Sequence, residues 1–146
     1  MSEIEAFRVK AGAAPVSYVV ADVDNRAGRG SINMFKVTAF DPEGKKYEFS
    51  RAYQFVSAWG PSYGSDFVYR LPDGTALDEA AGRSLNDQEV ELHNSLLDDV
   101  APAEHASIVL VSESPELPKE FTRVAVNPNG AGEQVEALPT SAGGHD

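Results

Sequence analysis

Residues 19–47 read VVADVDNRAGRGSINMFKVTAFDPEGKKY, and this stretch decides the fold. Val19, Ala21 and Val23 alternate with Val20, Asp22 and Asp24, the two-residue period of an extended chain with two distinct faces. NRAGRG has the Asn and Gly content of a loop. Phe35, Val37 and Ala39 then share one face, opposite Met34, Lys36 and Thr38. Asp41-Pro42-Glu43-Gly44 puts Pro at the second position of a turn and Gly where positive φ is needed. Tyr47 and Phe49 resume the period of two, so the segment predicts a β-hairpin. Tyr18 and Val20 make both faces of strand 16–25 apolar at its start, which predicts a central strand.

Two further strands follow from the same reasoning. HASIVLVSES (105–114) is β-branched and apolar on both faces, as a buried strand is, and FTRVAVNP (121–128) places Val124 and Val126 on one face and stops at Pro128. The middle, from Ala52 to Asp99, is less regular. AYQFVSAWGPSYGSDFVYRL (52–71) predicts a strand, an irregular turn at the Gly-Pro and Tyr-Gly breaks, and a short strand at 67–71. PDGTALDEAAGRSL (72–85) predicts a turn and one or two helical turns, with Thr75 and Asp78 as an N-terminal cap and Gly82 as a stop. In NDQEVELHNSLLDDV (86–100), Leu92, Leu96 and Val100 keep helical spacing, whereas Val90 and Leu92 alternate as in a strand; the reading adopted is strand, then turn. From Asn127 onward the Gly, Ala, Pro and polar content predicts a flexible tail.

The expected fold is therefore mainly β: a two-sheet sandwich over residues 1–126, a longer middle insertion with room for a short helix, and a tail at 127–146. A chain of 146 residues is long enough for one self-sufficient core. The pieces VADVDNRAGRGSINMFKVTAFDPEGKKYEF, DDVAPAEHASIVLVSES and FTRVAVNP resemble bacterial immunoglobulin-like domains of unknown function, of the lipoprotein-associated and actinobacterial secreted-antigen type. The resemblance rests on Val23 and Asn25, on Gly44 and Tyr47, and on the turn Pro102-Ala103-Glu104, where Ala103 stands in the family's Gly position. It spans about half the chain, lacks a lipobox cysteine and implies a binding or interaction module, with no catalytic residues to carry over.

Chemistry is bounded largely by exclusion. Without cysteine there are no disulfides, thiol nucleophiles or zinc thiolates, and His93, His105 and His145 are the only histidines. No Gly-x-Ser-x-Gly elbow or phosphate-binding loop occurs, so no catalytic residue and no cofactor is expected. Asp22 and Asp24, two apart beside Asn25, could offer oxygens to Ca²⁺, but they lack the spacing of a calcium loop, and no metal is expected. The net charge is −11, and 73–104 carries nine acidic residues against Arg83 alone, which repels phosphate backbones. No nucleic-acid partner is expected, and no apolar run spans a membrane. The start MSEIEAFRVKAG carries Glu3 and Glu5 where a signal peptide has a basic region, which reads as cytoplasmic; a chain trimmed of an export signal would read the same.

One feature stands above background: the aromatic cluster Tyr53, Phe55, Trp59, Tyr63, Phe67 and Tyr69. Phe55 and Phe67 read as core. In that reading Trp59 plugs the sandwich beside them; in the functional reading Trp59 and Tyr63 ride an exposed loop as a contact patch, and Tyr53, Trp59 and Tyr63 are the candidate protein-binding residues. The leading expectation is a non-enzymatic module with a protein partner. The alternatives are an acidic decoy that mimics nucleic acid before a basic protein, and a small hydrolase built on paired carboxylates.

Overall fold

The computed structural model describes residues 2–34, 36–127 and 135–137. Its elements run α1 (Ser2–Ala11), β1 (Ser17–Asp24), β2 (Lys36–Phe40), β3 (Lys46–Arg51), α2 (Ala52–Trp59), β4 (Ser62–Tyr63), β5 (Tyr69–Arg70), β6 (Ala76–Leu77), α3 (Glu79–Ser95), β7 (His105–Ser112), β8 (Arg123–Asn127) and β9 (Val135–Ala137). They fall into two compact units, one of Pro15–Arg51 with Asp99–Asp146, the other of Met1–Ala14 with Ala52–Asp98.

The first unit is an antiparallel sheet of order β1-β7-β3-β2-β8-β9. The hairpin β2–β3 forms with Val37 opposite Phe49 and Ala39 opposite Tyr47. Its turn works as the sequence requires: Gly44 holds φ 85°, and the Asp41 carboxylate accepts from the Glu43 and Lys45 amides at 2.9 and 2.8 Å. Inward-facing Val23, Val37, Ala39, Tyr47, Phe49, Ile108, Leu110 and Val126 form the core, which Ile32, Leu117 and Phe121 close from the connecting segments. The Phe121 ring meets Tyr47 and Phe49 edge-on at 5.6 and 6.1 Å.

Strand β1 is not central. It occupies an edge beside β7, and Val20 is exposed there, so the apolar start of its second face is not covered by a neighbouring strand. Between β3 and β7 the ladder is narrow, pairing only Ser50 with Val111 and Arg51 with Leu110. Buried Asn25 organises the loops after β1. Its side-chain amide donates to the Gly30 and Val100 carbonyls, both at 2.8 Å, and its backbone meets Glu104 and Ala103 at 2.8 and 2.9 Å. Most of the stretch expected as a tail lies outside the described residues; within it, Asn127 ends β8, and Val135–Ala137 pair with Val124–Val126.

The second unit departs most from expectation. Residues 52–59 are a helix, not a strand: Ala52, Val56 and Trp59 are buried at i, i+4 and i+7. Helix α1 buries Ile4, Phe7 and Ala11, with Glu3 and Glu5 in its first turn and Arg8 and Lys10 in its last. Helix α3 runs unbroken from Glu79 to Ser95, across the part of 86–100 expected as strand, and the chain leaves the helix at Leu96. Asp78 caps it by accepting from the Ala81 amide at 2.7 Å, and Thr75 plays no part in that cap. Gly82 lies inside the helix and does not stop it. The competing patterns resolve in favour of 3.6, since Leu85 is buried, Leu92 and Leu96 are half-buried and Val90 is exposed.

Among the described residues the architecture is thus antiparallel β with three helices, a mixed composition with more helix than the sequence predicts. Among the described residues no helix is long and apolar enough to cross a membrane.

Candidate functional site

Strands β4, β5 and β6 form a small antiparallel sheet in which Tyr63 pairs with Tyr69 and Tyr69 with Leu77. The β4–β5 turn is closed by the Phe67 amide donating to the Gly64 carbonyl at 3.0 Å and the Gly64 amide donating to Val68 at 3.1 Å. Asp66 stiffens it, accepting from the Val68 amide at 3.3 Å and from both Arg70 guanidinium nitrogens at 3.1 and 2.8 Å. That pairing holds the Asp66 carboxyl below its ordinary range.

The turn carries a bulky residue at the wrong backbone angle. Phe67 has φ 62°, a conformation that costs an L-residue roughly 1–2 kcal/mol and that Gly adopts freely. Its side chain is not sequestered in return: Phe67 is 78% exposed. Tyr63, 51% exposed, lies 6.2 Å from the Phe67 ring and 4.6 Å from the Tyr69 ring. Tyr69 in turn lies against α3 at Gly82, where an added Cβ would come within 2.4 Å of it. The result is a row of three rings, anchored on a helix at Tyr69 and open to solvent at Phe67.

This placement revises the sequence reading of the aromatic cluster. Trp59 does not lie on an exposed loop; it ends α2, is 7% exposed and meets Phe55 at 5.8 Å. Tyr53, half-buried in the same helix, packs edge-on against His93 at 5.6 Å. Tyr63 alone of the three named residues is largely exposed, and its neighbours are Phe67, expected in the core, and Tyr69. The missed signal is the turn itself. SYGSDFVY alternates as two short strands around Gly-Ser-Asp, and that places Phe67 at the turn position Gly normally takes.

Elsewhere several titratable groups are engaged structurally. Asp24 forms a two-pronged pair with Arg26 at 2.9 and 2.8 Å, and Asp22 accepts from the Ser107 hydroxyl at 2.9 Å. Asp24, Glu48 and Asp66 are shifted downward by hydrogen bonds with neighbouring cations, and Asp73 by its hydrogen bonds with Thr75. Among the described residues no three His, Asp or Glu side chains gather as metal ligands. On α3 the ridge Glu79, Asp87 and Glu91 is interrupted by Arg83, which pairs with Glu79 at 3.3 Å.

Comparison with protein-family models, curated proteins and solved structures yields no match for this chain.

Proposed function

We propose that the chain is a non-enzymatic protein-binding module whose contact surface is the β4–β5 hairpin, with Tyr63 and Phe67 as the leading residues. One observation carries this reading: Phe67 is both in a left-handed backbone conformation and 78% exposed. Strain of that kind at a solvent-facing aromatic gives the isolated chain no packing return, and strain persists where function uses it. Tyr and Phe rings held by a rigid turn offer large contact area at little conformational cost.

The scaffold reading is of the immunoglobulin-like kind. It is supported by the antiparallel sheet β1-β7-β3-β2-β8-β9, whose inward residues share one core. It is supported also by Ala103, which holds φ 72° at the position where the resembled family has Gly.

The test is a Tyr63→Ser, Phe67→Ser double variant. It should melt within a few degrees of the parent, since both side chains are exposed. When immobilised, it should lose proteins that the parent captures from an extract of the cells that make it. Capture of an identical set by parent and variant would remove the hairpin from the contact.

A further inference from the structure

We infer that β1 is a pairing edge for a second copy of this chain, the two strands running antiparallel about a two-fold axis at Val20. Among the described residues β1 has a strand neighbour on one side only, β7. It pairs there residue for residue from Ser17 to Asp24, without a bulge, and it holds neither Lys nor Pro, the usual guards of an edge. The Asn25 amide continues that ladder by donating to the Glu104 carbonyl at 2.8 Å, which fixes the parity of the strand. Odd-numbered residues turn their backbone groups to β7, so Val20 and Asp22 turn theirs to the open side. Only an extended chain answers amides and carbonyls spaced in this way.

The occupant that fits is β1 itself. On the core face Val19 and Ala21 are only partly buried, whereas Val37 and Ala39 on β2, flanked by β3 and β8, are 5% and 2% exposed. An incoming strand has to add apolar residues on that face and meet Val20, 42% exposed, on the other. A second β1 does both: Val19 lies opposite the second copy's Ala21, and the two Val20 side chains meet. An antiparallel pair also closes on itself, where a parallel one would leave each copy with a free partner surface. Charge then chooses the register. Centring the pair on Asp22 sets two carboxylates face to face, and centring it on Ala21 sets them on a diagonal. Centring on Val20 keeps residues 17–23 paired and carries the two Asp22 side chains to opposite ends, each beside the second copy's Tyr18.

Sedimentation equilibrium of the full chain at rising concentration tests this. The parent should pass from monomer to dimer, and further toward dimer as salt screens the charge of −11 on each copy. Val20→Pro removes an amide that faces the open side, so it should melt near the parent yet weaken the dimer about tenfold or more. Val20→Lys should weaken it similarly by setting two cations opposite each other, although it lowers the net charge of the chain. Val19→Pro removes an amide that faces β7 and should lower the melting temperature well below that of Val20→Pro. Equal melting of these two proline variants would overturn the parity on which the pairing rests. A monomer at every concentration would overturn the proposal, as would a dimer indifferent to both changes at position 20. Tighter association of Val20→Lys would place that residue opposite Asp22 and refute the register. A dimer lost in the Tyr63→Ser, Phe67→Ser variant and kept in both Val20 variants would assign the contact to the hairpin and refute the edge.

Discussion

The Arg51 guanidinium donates to the Asp99 carboxylate at 3.2 Å, and these two residues bracket the segment 52–98 in sequence. Arg51 ends β3, with its side chain only 4% exposed, and donates also to the Asn33 carbonyl at 2.6 Å. Asp99, 42% exposed, is the first residue of the sheet unit after the chain returns. The pair therefore holds together the two points at which the chain leaves and re-enters the sheet.

Asp99→Asn keeps the shape and removes the charge, and should cost about 1–2 kcal/mol, discounted for the exposure of Asp99. Arg51→Ala should cost more, about 3 kcal/mol, because it removes buried volume and leaves the Asn33 carbonyl without this donor. Urea unfolding measures both. Midpoints equal to that of the parent would show that the pair contributes nothing.

Ala103→Gly should stabilise the protein. Ala103 holds φ 72° in the turn closed by the Glu104 amide donating to Ala101 at 3.1 Å, and Gly adopts that angle without strain. The relief exceeds the extra freedom Gly gives the unfolded chain, for a net gain of about 0.5–1 kcal/mol. A lower melting temperature for the variant would contradict this.

Gly82→Val sets two effects in competition. Val is the better helix former by a few tenths of a kcal/mol, but its Cβ would meet the Tyr69 side chain at 2.4 Å. Overpacking should win, with a loss of about 1–3 kcal/mol. The NMR ring resonances of Tyr63 and Tyr69 should move together, since the rings lie 4.6 Å apart. An unperturbed Tyr69 would show that it does not rest on α3.

Trp59 is the only tryptophan, so its fluorescence reports one site. At 7% exposure it should emit in the blue and resist iodide quenching until the chain unfolds. Trp59→Ala should cost roughly 3–5 kcal/mol. Red-shifted, readily quenched emission in the native protein would place it back on the surface.

Asp66 provides a pH marker for the hairpin. Its hydrogen bonds with Arg70 lower the folded value beneath the ordinary 3.8, so its contribution is fully present above about pH 3.8 and is lost as pH falls through the folded value. Side-chain carboxyl NMR should give a midpoint under 3.8 that rises toward the ordinary value in Arg70→Gln. A midpoint insensitive to Arg70 would disprove the pairing.

Sequence alone determined those parts of the protein whose signals are local. The Asp41–Gly44 turn, the inward period of Val37, Ala39, Tyr47 and Phe49, and strands β7 and β8 follow from turn chemistry and two-residue alternation within a few neighbours. Tertiary structure decided the rest. In residues 52–59 aromatic and β-branched content favours a strand, yet burial of Ala52, Val56 and Trp59 among α1, α2 and α3 selects a helix. In residues 86–95 the 2 and 3.6 periods are both legible, and only what packs on Leu85, Leu92 and Leu96 distinguishes them. The hairpin surface depended on both: Tyr63 is exposed as the contact-patch reading expects and Trp59 is buried as the core reading expects, but Phe67, which the core reading also buries, is exposed. A tryptophan and a phenylalanine present the same apolar character to a reader of sequence, and which one meets water is decided by the backbone that carries it, a helix packed on two others for Trp59 and a left-handed turn position for Phe67.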